Sequence, residues 1–141
     1  MKSYVLVLMS ILLCLLSGCS YEGKYQLEQA YNNIQTVEVL YVSPYEICSN
    51  EQLLEKDNNA SVDEGNWEKL ITELENIPCK AYAHDPSWGI TGDILRITYK
   101  DGSVELVGER GGLYYSADEW EYRYLYFEEA EFHALISVAR G

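Results

Sequence analysis

The chain has few basic residues and only short apolar runs. Ten lysines and arginines face 23 aspartates and glutamates, so the formal net charge of the 141 residues is −13. Because like charges repel, this balance disfavours binding to nucleic acid and to anionic lipid head groups. The main apolar run, Val5 to Leu16, is well short of the ~20 residues that a helix needs to cross a bilayer. The sequence predicts neither a nucleic-acid-binding protein nor a transmembrane helix.

Recognisable catalytic motifs are absent as well. The sequence has no Gly-x-Ser-x-Gly elbow, no phosphate-binding loop and no zinc-protease helix. Its two histidines, His84 and His133, lack the spacing of metal ligands, and we interpret His133 as a residue at a helix edge. Cys48 and Cys79 do not form a Cys-x-x-Cys pair, which leaves redox chemistry unsupported. These absences favour a non-enzymatic protein without a cofactor.

The first nineteen residues carry the strongest signal that is present. A charged start, a short apolar core and small residues at its exit are typical of a secretory signal. The order Leu16-Ser17-Gly18-Cys19 resembles the lipobox of bacterial lipoproteins. The resemblance implies that residues 1–18 are a signal peptide, that the Cys19 thiol receives a diacylglyceryl group, and that the rest of the chain is lipid-anchored outside the cytoplasm. The alternative is an ordinary secretory signal in which Cys19 is incidental.

Cleavage before Cys19 would change the charge and the cysteine inventory. Removal of Lys2 leaves nine basic against 23 acidic residues, a net charge of −14. Cys14 leaves with the signal and Cys19 carries the lipid, so Cys48 and Cys79 remain as a candidate disulfide in a compartment that allows one. Two reduced, buried thiols are the alternative.

The remaining chain predicts one α+β domain. We expect residues 19–34 to hold the lipidated cysteine, a polar tether and a possible short helix, and residues 35–141 to form the domain. Its predicted core is an antiparallel sheet of about four to six strands, packed against one mid-chain helix and one C-terminal helix. Apolar spacing predicts helices over Trp67–Ile77 and Glu128–Ala139, Asp101-Gly102 predicts a hairpin, and residues 121–127 are predicted as one last strand.

The chain is rich in tyrosine, and the aromatic residues crowd near its end. Rigid amphipathic rings suit contacts with a partner protein or a sugar. The candidate binding surface comprises Trp88, Tyr114, Tyr115, Trp120, Tyr122 and Tyr124. The alternative is that these rings pack the sheet against a helix.

Residues 57–68 partly match a calcium-binding loop. The candidate ligands are Asp57, Asn59, Ser61, Asp63 and Glu68. The glycine that the loop needs at its sixth position is replaced by Val62. A polar loop that leads into a capped helix uses the same oxygens and is the alternative.

These features together predict a location better than an activity. The lipobox, short tether and acidic β-rich domain resemble the small lipoproteins common in Gram-positive bacteria of the Firmicutes type, and the resemblance implies membrane attachment through Cys19 only. We expect a non-enzymatic binding or accessory module of the cell envelope for a basic protein or peptide. A small wall-directed hydrolase, a carbohydrate-binding protein and a cation-binding sensor lipoprotein stay as alternatives.

Overall fold

The computed structural model describes residues 20–46, 48–57, 59–82 and 91–141, with the side chains of residues 20–22, 81 and 82 excepted. Within these residues, nine strands form two antiparallel sheets, and three α-helices and two short 3-10 helices join them. The predicted α+β class is confirmed. The structure adds a second, smaller sheet to the single sheet that the sequence predicts.

The larger sheet has six described strands and contributes to the core on both of its faces. Along the chain these are β2 (Ile34–Val42), β3 (Asn59–Ser61), β5 (Gly92–Tyr99), β6 (Val104–Gly108), β7 (Gly111–Ser116) and β8 (Glu119–Arg123). Their order in space is β3-β2-β5-β6-β7-β8, with every neighbouring pair antiparallel. The predicted hairpin at Asp101-Gly102 joins β5 to β6, and Gly102 has the positive φ of +86° that such a turn favours in glycine.

The smaller sheet has three strands, in the order β1 (Ser20–Lys24), β4 (Pro78–Tyr82) and β9 (Leu125–Phe127). Strand β1 occupies part of the segment that the sequence predicts as a tether. The predicted last strand, residues 121–127, is divided at Tyr124: its first half is β8 in the larger sheet, and its second half is β9 in the smaller one. Nothing in the local sequence marks this break, because it contains neither glycine nor proline.

The helices begin at side chains that accept backbone hydrogen bonds. Ser49 and Gln52 form a capping box at α1 (Asn50–Glu55). Asp63 caps the 3-10 helix Glu64–Asn66, which runs into α2 (Trp67–Asn76). Glu128 caps α3 (Glu129–Arg140). None of the helices in the described part of the chain is long and apolar enough to span a membrane.

Side chains alternate along the strands, so the larger sheet has two faces. Both faces carry buried residues. The helix face packs against α2, α3 and the smaller sheet, and the opposite face packs against α1. The core on the helix face includes Val37, Val39, Leu95, Ile97, Leu70, Leu74, Phe132, Leu135 and Ile136. The core on the α1 face comprises Leu40, Val42, Leu53, Ile94, Leu106 and Leu113.

A buried arginine holds α1 against its face of the sheet. Nε of Arg96 donates to Glu38 Oε2 at 2.7 Å. Its Nη1 donates to the carbonyls of Leu53, Leu54 and Lys56 at 3.2, 2.9 and 3.1 Å. Carbonyls at a helix C-terminus lack partners within the helix. The Arg96 guanidinium supplies hydrogen bonds to them and so caps the C-terminus of α1.

Candidate binding surface

Four aromatic side chains of the β7–β8 region form two ring pairs on the α1 side of the larger sheet. Tyr115 and Trp120 are directly paired across the two strands, and their ring centroids are 4.7 Å apart. The rings of Tyr122 and Tyr124 stack with centroids 6.5 Å apart. Tyr122 is 41 % exposed, whereas Trp120 packs partly against the core on the α1 face. We call these four residues the hairpin surface.

The turn that carries the hairpin surface is strained. Ala117 and Asp118 have φ values of +51° and +63°, in the left-handed region that costs non-glycine residues free energy. The Asp118 carboxylate accepts a hydrogen bond from the Tyr115 hydroxyl at 2.8 Å, which ties the turn to the surface. Residues held in sparsely populated backbone conformations cluster at functional sites.

Two carboxylates, Asp118 in the turn and Glu51 on α1, act on the hairpin surface. The hydrogen bond to Asp118 raises the pKa of Tyr115, and the negative charge of Glu51 on α1 acts in the same direction. Glu119 and Glu121 are exposed on β8 but alternate with Trp120 and Tyr122, so their side chains lie on the opposite face of the strand. The Asn50 amide at the start of α1 donates to the Tyr122 hydroxyl at 2.8 Å. The surface therefore combines aromatic contact area with negative charge.

The structure separates the other two predicted surface residues from this group. Tyr114 points to the helix face, because neighbours on a strand alternate, and its hydroxyl accepts a hydrogen bond from the Gln29 amide at 3.1 Å. The same amide donates to Asp101 and Ser103 at 2.8 and 2.7 Å. Trp88 lies outside the described residues.

A buried polar network beneath the segment between β1 and β2 has no counterpart in the sequence prediction. Glu105, 1 % exposed, accepts hydrogen bonds from the hydroxyls of Tyr25 and Tyr99 and, at 3.1 Å, from the Glu28 amide. Nη1 of Arg123 lies 3.5 Å from Glu105 and donates to the Gln26 carbonyl at 2.7 Å. The network fixes this segment, residues 25–29, over the sheet.

Burial controls the protonation of this network. It raises the pKa of Glu105, against the opposing effect of the hydrogen bonds from Tyr25 and Tyr99 and of the charge on Arg123. Burial and the charge of Glu105 raise the pKa of both tyrosines. With a 1 % exposed carboxyl at its centre, the network is suited to holding structure, not to receiving a substrate.

The five calcium candidates are distributed over different elements. Asn59 and Ser61 lie in β3, where the Asn59 amide donates to Glu38. Asp63 caps the 3-10 helix by accepting from the Gly65 amide at 2.8 Å, and Glu68 lies in the first turn of α2. Asp63 therefore caps a helix, as the alternative expects, whereas Asn59 and Ser61 belong to the strand before it. Asp57 precedes β3.

The two cysteines in the described part of the chain are free thiols and are not bonded to each other. Cys48 packs against the core on the α1 face, and Cys79 belongs to the core on the helix face. Burial raises the pKa of each thiol, with the carboxylate of Glu46 adding to the effect at Cys48. Because the thiolate is the reactive form, neither residue has the environment of a nucleophile.

His133 lies on the exposed side of α3, next to Glu109 and Glu129. This matches its predicted place at a helix edge. The hydrolase alternative depends on a deep pocket that combines His84 or His133 with acids. His133 is on an open surface, and His84 lies outside the described residues.

Comparison of the chain with protein families, with curated proteins and with solved structures found no match.

Proposed function

We propose that the chain is a lipid-anchored lipoprotein of a bacterial cell envelope, and that its domain is a non-enzymatic module for a basic protein or peptide. The lipobox at Cys19 supports the location. The hairpin surface supports the activity, and it is the observation on which the proposal depends.

Aromatic and acidic groups together favour a cationic partner. Tyrosine and tryptophan are enriched among residues that dominate binding energy at interfaces, and the faces of their rings attract lysine and arginine side chains. The carboxylates of Glu51 and Asp118 add long-range attraction for positive charge. Trp120 is well placed as the central contact, since its ring is fixed by the core below it and by Tyr115 beside it.

The position of β8 favours an extended partner. Among the described strands, β8 is the outermost of the larger sheet on that side. An outer strand offers backbone amides and carbonyls to which an extended peptide can add as a further strand. A lysine-rich segment paired with β8 would place alternate side chains over Trp120 and Tyr122.

The test is a titration of the full-length protein with a fluorescent lysine-rich peptide at several salt concentrations. Attraction between exposed charges is screened by salt, so we expect the affinity to fall as salt rises. Trp120→Ala and Tyr122→Ala should each weaken binding about tenfold or more, the scale of a hot-spot residue. Tyr31→Ala is the control, because Tyr31, in the 3-10 helix Tyr31–Asn33, is as exposed as Tyr122. This variant should leave binding unchanged.

Two results would contradict the proposal. The first is the absence of binding, both to the peptide and to any protein captured from envelope extracts. The second is equal loss in the Tyr31 and hairpin variants, with circular dichroism showing each variant folded. Binding of a neutral oligosaccharide that is insensitive to salt would support the carbohydrate-binding alternative instead.

A further inference from the structure

Three side chains with metal-ligating atoms converge at the start of α3. Glu129 and His133 are four residues apart on this helix and so lie on one side of it, one turn apart. Glu109 reaches them from the turn between β6 and β7. His133 Nε2 is 3.7 Å from Glu109 Oε2 and 3.8 Å from Glu129 Oε1, and all three ligand atoms lie within 4.8 Å of one another.

The backbone holds the two elements that carry these groups in a fixed relation. The Glu109 carbonyl accepts a hydrogen bond from the Phe127 amide at 2.9 Å, two residues before α3 begins. The buried ring of Phe127 stacks on Phe132 of α3 with centroids 5.2 Å apart. A hydrogen bond and a core contact thus hold the backbone of the turn close to the start of the helix.

The donor set and its spacing fit one divalent transition-metal ion. Ligands about 2.0–2.1 Å from a tetrahedral zinc ion lie roughly 3.4 Å from one another. The two separations from His133, 3.7 and 3.8 Å, exceed hydrogen-bond length and are close to that value. Since all three ligand atoms lie within 4.8 Å of one another, side-chain rotations alone can bring them to it. An imidazole nitrogen favours zinc over calcium or magnesium, which prefer oxygen ligands only.

We propose that Glu109, Glu129 and His133 form a Zn²⁺ site, with water as the fourth ligand. This site is independent of the hairpin surface and of the calcium candidates between residues 57 and 68. The competing interpretation is that a protonated His133 forms salt bridges with the two glutamates, in which case no ion is bound. Glu109 also lies near Arg110, whose Nε is 3.7 Å from Oε1, while the other carboxylate oxygen, Oε2, faces His133.

The experiment is a calorimetric titration of metal-free full-length protein with Zn²⁺, combined with the visible spectrum after Co²⁺ replaces zinc. We expect one zinc per chain and a Co²⁺ absorption band typical of four-coordinate geometry. His133→Ala and Glu109→Gln should each lower the affinity by at least about tenfold, since each removes one of three protein ligands. The His133 side chain is 52 % exposed, and its replacement leaves the core intact.

Two matched controls identify the site. His84→Ala removes the only other imidazole of the chain and should leave the zinc affinity unchanged. Glu131→Gln removes an exposed carboxylate from the same helix and should also have no effect. Zinc binding that is absent, unaffected by His133→Ala, or weakened equally by Glu131→Gln would overturn the proposal, the last because it would reflect the general negative charge of the surface.

Discussion

At position 105 the protein buries a carboxyl group on a β-strand, where an apolar residue would be expected from the pattern of its neighbours. The next two residues are apolar and buried: Leu106 lies in the core on the α1 face and Val107 in the core on the helix face. The cost of removing a carboxylate from water is high unless hydrogen bonds and an opposite charge compensate. Glu105 has both: Arg123 supplies the charge, and the hydrogen bonds come from Tyr99 and, about eighty positions earlier, from Tyr25 and the Glu28 amide. Such a long-range group of partners leaves no local pattern in the sequence.

The raised pKa of Glu105 gives a pH dependence of unusual sign. A carboxyl whose pKa is higher in the folded than in the unfolded state contributes its full stability below the unfolded value, roughly 4.3, and loses it as pH rises through the folded value. We therefore expect the free energy of unfolding of the wild type, minus that of Glu105→Gln, to decrease as pH rises from acid towards neutral. Urea denaturation across this pH range measures the difference.

The comparison with Glu105→Gln isolates this one group, because the titrations of other carboxyls, such as Asp101, occur in both proteins. Hydrogen bonds from Ser103 lower the pKa of Asp101, which gives a slope of the opposite sign that cancels in the difference. Glu121→Gln, a change at an exposed position of β8, serves as the control and should alter the free energy of unfolding by less than about 0.5 kcal/mol. A difference that grows with pH would show that the network holds Glu105 charged.

Part of the hairpin surface could be predicted from residue types. Tyr115, Trp120, Tyr122 and Tyr124 are neighbours in the structure, as their crowding in the sequence suggests. Tyr114 could be excluded only once the strand phase was known, because a shift of one residue moves a side chain to the opposite face. The turn at residues 117 and 118 contains Ala and Asp, where such hairpins favour Asn-Gly. The residue types therefore do not predict a hairpin turn at this position.

Among the secondary-structure elements, α1 depends most on contacts with the rest of the fold. It has six residues, and a helix this short is unstable in isolation. The buried Leu53 and the guanidinium of Arg96 attach it to the larger sheet. Its stability is therefore determined by tertiary contacts and not by its own sequence.

Replacing Arg96 with Lys should release α1 while the rest of the sheet persists. A lysine ammonium keeps the charge opposite Glu38 but cannot reproduce the planar fork that reaches Glu38 and three carbonyls together. We expect faster amide hydrogen exchange across residues 50–55 and a loss of about 1–2 kcal/mol in the free energy of unfolding. Exchange in α2 should change much less.

Arg140→Lys provides the matched control, since Arg140 is an exposed arginine that pairs with Asp93. This variant should leave exchange in α1 unchanged. If α1 exchanges at the wild-type rate in Arg96→Lys, the arginine does not hold the helix.

The elements that the sequence predicts correctly are those with strong local signals. The helices α2 and α3 follow their apolar spacing, and the hairpin between β5 and β6 follows Asp101-Gly102. Strand β1 and the division of residues 121–127 were not predictable in this way. Both depend on pairing with β4, a partner that is distant in sequence.

At the scale of the whole molecule, charge and attachment act in opposite directions. A domain with a net charge near −14 after cleavage is repelled by an anionic membrane surface. Each buried methylene of an acyl chain contributes about 0.8 kcal/mol of attachment, and two chains or more make it stable. Under the proposed function, the lipid on Cys19 must therefore supply the attachment.

Cys19→Ala should move the protein from the membrane fraction to the soluble fraction or misplace it, without changing its urea denaturation midpoint. Fractionation of cells followed by immunoblotting measures this. Cys14→Ala, which changes the other cysteine of the first nineteen residues, should leave the membrane fraction unaltered. Membrane association that survives Cys19→Ala would overturn the proposed anchor.

Strand β1 begins one residue after the proposed point of lipid attachment, and this has a mechanical consequence. Its five residues pair antiparallel with β4, from Ser20 opposite Tyr82 to Lys24 opposite Pro78. A pull on Cys19 along the strand would load these hydrogen bonds together, in shear, and not one after another. If these hydrogen bonds broke, the force would act next on Tyr25 and Glu28, which are both hydrogen-bonded to the buried Glu105. A domain held at its N-terminus in this way resists being peeled open by its own anchor.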